Sequence, residues 1–112
     1  MDITKFKTLI AERENTDDEW AEGVSKCQDK LVDCLCEDIN STNKYLMHEC
    51  TSDEFSWISE VFDRIASRTK NQEFISALRF LAEKYPEETE TYNIIPFIDS
   101  AELQINELDS SE

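Results

Sequence analysis

One glycine in 112 residues, with only two prolines, leaves this chain few ways to make tight turns. β-Hairpins need Gly, Asn-Gly or Asp-Gly to reach the backbone conformations of short loops, and β-rich chains need such turns at close intervals. Apolar residues recur here at three- and four-residue spacing instead. The expected fold class is all-α: a single compact domain of five or six antiparallel helices, built as a bundle or as stacked helical hairpins. A chain of 13.1 kDa can bury about two thirds of its extended surface, enough for one core. Six Phe, three Tyr and two Trp are too many large hydrophobes for a solvated acidic tail. The domain is expected over 1–108, with a frayed acidic end at 109–112.

Ile3, Phe6, Leu9 and Ile10 mark a first helix through Glu14. Asp17 is read as the N-cap of a second and longest helix, in which Trp20, Val24, Cys27, Leu31, Cys34 or Leu35, and Ile39 share a face for about six turns. Gly23 weakens it by about 1 kcal/mol relative to Ala. Asn40-Ser41-Thr42-Asn43 interrupts the pattern, and a short helix ending near Cys50 follows. Thr51-Ser52-Asp53-Glu54 has the form of a capping box. The helix it opens buries Phe55, Ile58, Phe62 and Ile65, with Trp57 and Val61 as a second stripe. Asn71 can cap the segment Phe74 to Tyr85, which Pro86 ends, and Asn93 is a candidate cap for a last helix through Leu108.

Acidic residues number 26 against 11 Lys and Arg, for a net charge of -15. From Tyr85 to Glu112 there is no Lys or Arg, but eight acids. Such a charge favours a cationic protein partner and disfavours direct binding to nucleic acid or anionic lipid. The alternative is a solvated surface that keeps the protein dispersed. No stretch reaches the length of a membrane span, and the N-terminus lacks a basic segment followed by an apolar run, so the expected location is cytoplasmic.

Candidate chemistry is thin. Cys34, Cys36, His48 and Cys50 are formally a Cys3His zinc set, but Cys34 and Cys36 point about 200° apart on a helix. The competing reading packs the cysteines as small hydrophobes, with free thiols. A Cys-His nucleophile is disfavoured because Glu37, Asp38 and Glu49 would raise a nearby thiol pKa. No calcium loop, phosphate-binding loop or helical metalloprotease motif is present, so a non-catalytic protein without a cofactor is expected.

Carboxylates flank both indoles: Asp17, Asp18, Glu19 and Glu22 around Trp20, and Asp53, Glu54 and Glu60 around Trp57. Each Trp is either an interface anchor within an acidic rim or a core residue. Between Phe55 and Ala101, the strings Trp57-Ile58-Ser59-Glu60-Val61-Phe62, Glu73-Phe74-Ile75 and Ala82-Glu83-Lys84-Tyr85-Pro86 contribute most to a resemblance in type. The chain resembles the bacterial immunity proteins that neutralise polymorphic or contact-dependent toxins. That resemblance implies stoichiometric inhibition of a cognate toxin domain, many of which are basic nucleases. The interface it implies is Asp17, Asp18, Glu19, Glu22, Asp53, Glu54, Glu87, Glu88 and Glu90, with Trp20 and Trp57 as anchors. The alternatives are a DNA-mimicking inhibitor and a zinc-stabilised structural helical module.

Overall fold

Polar side chains cap four of the eight helix starts. In a computed structural model, which describes residues 2–110 and the side chains of 2–106, Asp2 accepts from the Lys5 N–H at 3.1 Å and opens α1 (Ile3–Asn15). Helix α2 (Ala21–Cys36) follows without a side-chain cap, and Asp38 accepts from the Ser41 N–H to open α3 (Ile39–His48). The capping box forms as expected: Glu54 N–H donates to Thr51 Oγ1 and Thr51 N–H to Glu54 Oε1, each at 3.2 Å, at the head of α4 (Ser52–Ile58). A 3-10 turn (Ser59–Val61) joins α4 to α5 (Phe62–Thr69). Asn71 accepts from the Phe74 N–H at 2.9 Å and opens α6 (Gln72–Lys84). Pro86 then starts α7 (Pro86–Thr91), and α8 (Ile95–Ser110) closes the described chain. Leu108 and the end 109–112, expected to fray, lie outside the residues described with side chains.

All regular structure among the described residues is helical, in eight α-helical segments rather than five or six. The fold differs from expectation at three boundaries. Asp17 does not cap α2: its carboxylate accepts from the Glu19 N–H at 2.9 Å in a turn, and the helix begins four residues later. Asn40 to Asn43 lie inside α3, where Thr42 and Asn43 each donate to a tertiary partner. The Thr42 hydroxyl donates to the Leu35 carbonyl at 2.7 Å, and the Asn43 amide donates to Asn71 Oδ1 at 3.2 Å. Asn93 is not a cap but a left-handed residue, φ 51°, that reverses the chain between α7 and α8.

Nor is the arrangement simply antiparallel. Arg64 pairs with Asp29 and Arg68 with Asp33, both 35 residues apart in sequence. A constant offset means that α2 and α5 run in the same direction. Lys7–Glu54 and Arg13–Glu60, both 47 apart, align α1 in the same way with α4 and the 3-10 turn.

The expected stripe of Phe55, Ile58, Phe62 and Ile65 is fully buried and forms the centre of the core. Phe62 lies between Phe55 and Phe74, with ring centroids 5.8 and 6.3 Å away. Helix α5 packs along α8, α1 on α2, and α3 on α6, giving one compact globule with a radius of gyration of 13.5 Å. Trp20, placed by periodicity on the apolar face of the second helix, is exposed, as is Phe97. No helix among the described residues is long and apolar enough to cross a membrane. Thr51→Ala, which removes the hydroxyl half of the capping box, is expected to lower the unfolding free energy by about 1 kcal/mol in urea denaturation.

Candidate partner-binding groove

Arg13 sits in the last turn of α1 with its side chain only 5% exposed. A buried guanidinium needs partners for its fixed fork of donors. Its Nε donates to Glu60 Oε2 at 2.9 Å and its Nη2 to Glu60 Oε1 at 2.7 Å, while Nη1 donates to Asp18 Oδ1 at 2.9 Å. The Trp57 ring covers it at 4.9 Å. Hydrogen bonding to Glu60 raises the Arg13 pKa above its ordinary value, so it stays charged.

Arg13 forms part of the lining of a groove of about 450 Å³ where the α1–α2 loop, α4 and the α7–α8 turn meet. Its walls are Val24, Trp57, Tyr92 and Phe97, and its polar groups include Asp18, Asp53 and Glu60. Trp57 Nε1 donates to Glu14 Oε1 at 3.0 Å, which fixes the indole from the opposite edge. Hydrogen bonding to Glu14, with some burial, pushes the Asp53 carboxyl up to about 6.

The three acidic segments singled out in the sequence are arranged around this end of the fold. Asp18, Asp53 and Trp57 line the groove itself. Glu87, Glu88 and Glu90 lie on α7, which packs against α4 and leads into Tyr92. Among the described residues, Asp17, Glu19, Glu87, Glu88 and Glu90 make no ion pair. Trp20 is held elsewhere, in a second groove between α1 and α2, where its ring lies over Gly23. A Cβ at position 23 would collide with the indole, which accounts for the one glycine of the chain. Glu22 pairs with Lys26 at 3.4 Å on the surface of α2.

Glu54 is a correction to the expected interface. It is 6% exposed, and its oxygens accept from Lys7 Nζ at 3.0 Å, the Tyr45 hydroxyl at 2.7 Å and the Thr51 N–H. Burial and this acidic partner push the Tyr45 hydroxyl up to about 12. Glu54 therefore holds α1, α3 and α4 together, with its carboxylate turned away from the surface.

The zinc set is not assembled. Among the described residues no three His, Cys, Asp or Glu side chains converge as metal ligands. Cys34 faces the Asp2 carbonyl at 3.9 Å, Cys50 donates to the Thr51 carbonyl at 3.4 Å, and His48 is exposed. Burial raises the thiol pKa of Cys34 and Cys36 and takes that of Cys50 to about 12, so the thiolates a nucleophile or ligand requires are disfavoured.

Arg13, Glu14, Tyr92 and Phe97 escaped the sequence reading. Locally Arg13 and Glu14 look like any charges on an amphipathic helix, and nothing adjacent to Tyr92 or Phe97 announces a groove wall. Only the cluster of large apolar residues around Asn93 and Pro96, at a chain reversal, hinted at exposure. No protein-family model, curated protein or solved structure matches the chain.

Arg13→Ala removes the bidentate partner of the largely enclosed Glu60 and opens a void under Trp57; a loss of about 3 kcal/mol in unfolding free energy is expected. Asp53 has a raised folded-state pKa, so its bond to Glu14 contributes stability below about pH 4 and loses it as pH rises through about 6. Asp53→Asn should accordingly be the more stable protein at pH 7, with the gap in urea midpoint closing as pH falls from 6 to 4.

Proposed function

We propose that this chain is a non-catalytic acidic binding protein that neutralises a cationic protein partner by stoichiometric capture, as the bacterial immunity proteins do with their toxins. The observation that carries this reading is the placement of acids from three sequence segments around one groove with exposed aromatic walls. Cations of the chain are held elsewhere: Arg64 and Arg68 by Asp29 and Asp33, and Arg79 by Asp99 and Glu102. At the groove end Arg13 is the one cation among the lining residues, against Asp18, Asp53 and Glu60, so acids are in excess there. A field of this kind steers a basic partner into encounter, and burial of a few aromatic side chains then sets the residence time.

A nuclease toxin fits the reading because its nucleic-acid groove is basic, and a cytoplasmic setting follows if the toxin acts there. Tagged protein should capture one basic protein from native lysate at low salt, in equimolar amount. Raising salt from about 50 to 500 mM should weaken that complex at least tenfold, mostly through the association rate. Replacing Glu87, Glu88 and Glu90 together by Gln should slow association several-fold with little change in dissociation. A partner whose affinity ignores salt, or recovery of no basic protein, removes the proposal.

A further inference from the structure

Asn43, Lys44, Met47 and His48 recur at three- and four-residue spacing on α3, and Glu73, Ser76 and Ala77 do the same on α6. The short side chains of Ser76 and Ala77 leave a cleft of about 480 Å³ between the two helices, within the range of about 300–1,000 Å³ usual for small-molecule sites. One group in its wall lacks the partner that burial demands. Asn43 is 7% exposed. Its amide nitrogen donates to Asn71 Oδ1 at 3.2 Å, and that atom is fixed as an oxygen because it also accepts from the Phe74 N–H at 2.9 Å. The Asn43 oxygen therefore points away from Asn71, and no donor of the described chain reaches it. A buried carbonyl oxygen that has lost water and gained no donor is unfavourable, and native folds hold few of them.

Around that oxygen, Lys44, His48 and Glu73 are exposed, and among the described residues their side chains make no hydrogen bond or ion pair. The cleft thus offers an amide oxygen and a carboxylate beside an ammonium and an imidazole, with Met47 and Ala77 as its apolar surface. We propose that it binds one free α-amino acid with an apolar side chain: the ammonium against Asn43 Oδ1 and Glu73, the carboxylate against Lys44 and His48, the side chain on Met47 and Ala77. Such a ligand brings a donor to the Asn43 oxygen while meeting groups of both signs. It also carries no net charge, so the field of a chain at -15 does not oppose its entry as it would that of a simple anion. Seating it requires a small shift of lining side chains, because the Asn43 oxygen lies out of reach of solvent. None of these residues lines the Arg13 groove, so the site stands apart from the partner-binding reading.

The test is an NMR titration of the full chain that follows the side-chain amide of Asn43 and the indole N–H of Trp57. Valine, leucine, isoleucine, methionine and phenylalanine are the probes, each as the free L-amino acid, with the amide and the N-acetyl derivative of the best of them as controls. At least one should shift the Asn43 amide saturably, half-maximally at about 1 mM or below, an affinity within reach of so small a ligand. Trp57, in the other groove, should not move. The amide lacks the carboxylate and the N-acetyl derivative lacks the ammonium, and each should bind about fivefold or more weakly, the scale of one favourable ion pair. Lys44→Gln and Glu73→Gln, both at exposed positions, should each weaken the response by a similar factor. Lys84→Gln, which removes a cation farther along α6, should leave it unchanged. No saturable shift with any of the five, a shift of Trp57 equal to that of Asn43, or equal weakening by Lys84→Gln overturns the assignment. So does a derivative that binds as well as its parent; for the N-acetyl compound that result would point to a peptide carboxy terminus instead.

Discussion

Removing a guanidinium from water is unfavourable unless its nitrogens find acceptors, and each of the three nitrogens of Arg13 has one, from two segments, while a third segment covers its face. Glu60 comes from the 3-10 turn, Asp18 from the α1–α2 loop, and the covering indole from α4. One buried charge thus fixes how the loop after α1 lies against the middle of the chain. Lys7 and Glu54 tie the other end of α1 to α4 at the same sequence offset. The two ties hold α1 alongside the central segment in a defined register, which apolar contact alone would leave freer to slide. Walls of the groove depend on that register, since Trp57 is held between Arg13 and Glu14, both on α1.

Helical class was legible in the sequence because turn chemistry was missing and apolar spacing was regular. The Thr51–Glu54 capping box and the Asn71 cap were also legible, since each is a local hydrogen bond between residues three apart. What stayed hidden was tertiary. Asn40 to Asn43 looked like a break because Ser, Thr and Asn compete with helix hydrogen bonds when solvated; inside α3, Thr42 and Asn43 find partners on α2 and beside α6. Arg13, between two glutamates, has the local appearance of any surface cation, and only the arrival of residue 60 makes it internal. Direction of packing was beyond local reading too, because periodicity says which face is buried and not which way the neighbouring helix runs.

The candidate site shows the same division. Acid clusters near 17–19, 53 and 87–90 were visible as composition, but their arrangement around one groove is a product of the fold. Glu54 differs from its neighbour Asp53 in a way the sequence does not announce. At N3 of α4 it turns inward to complete the capping box and meets Lys7 and Tyr45, while Asp53 at N2 faces Glu14 at the groove. Two adjacent acids therefore have opposite roles, one as internal mortar and one as surface chemistry.

The 3-10 turn between α4 and α5 has a further consequence, for tolerance of length. Each residue in 3-10 geometry advances about 120° around the axis instead of 100°, so three of them turn α5 by about 60° relative to a continuous helix. That added rotation lets α4 and α5 meet different neighbours, α4 packing on α1 and α7 and α5 on α2 and α8. One residue inserted between Ile58 and Glu60 would swing Glu60 by about 100° away from Arg13 and carry the α5 face off α8 with it. The segment is thus fixed in length as firmly as it is in composition, whereas an insertion in a surface turn clear of these ties would only lengthen the loop.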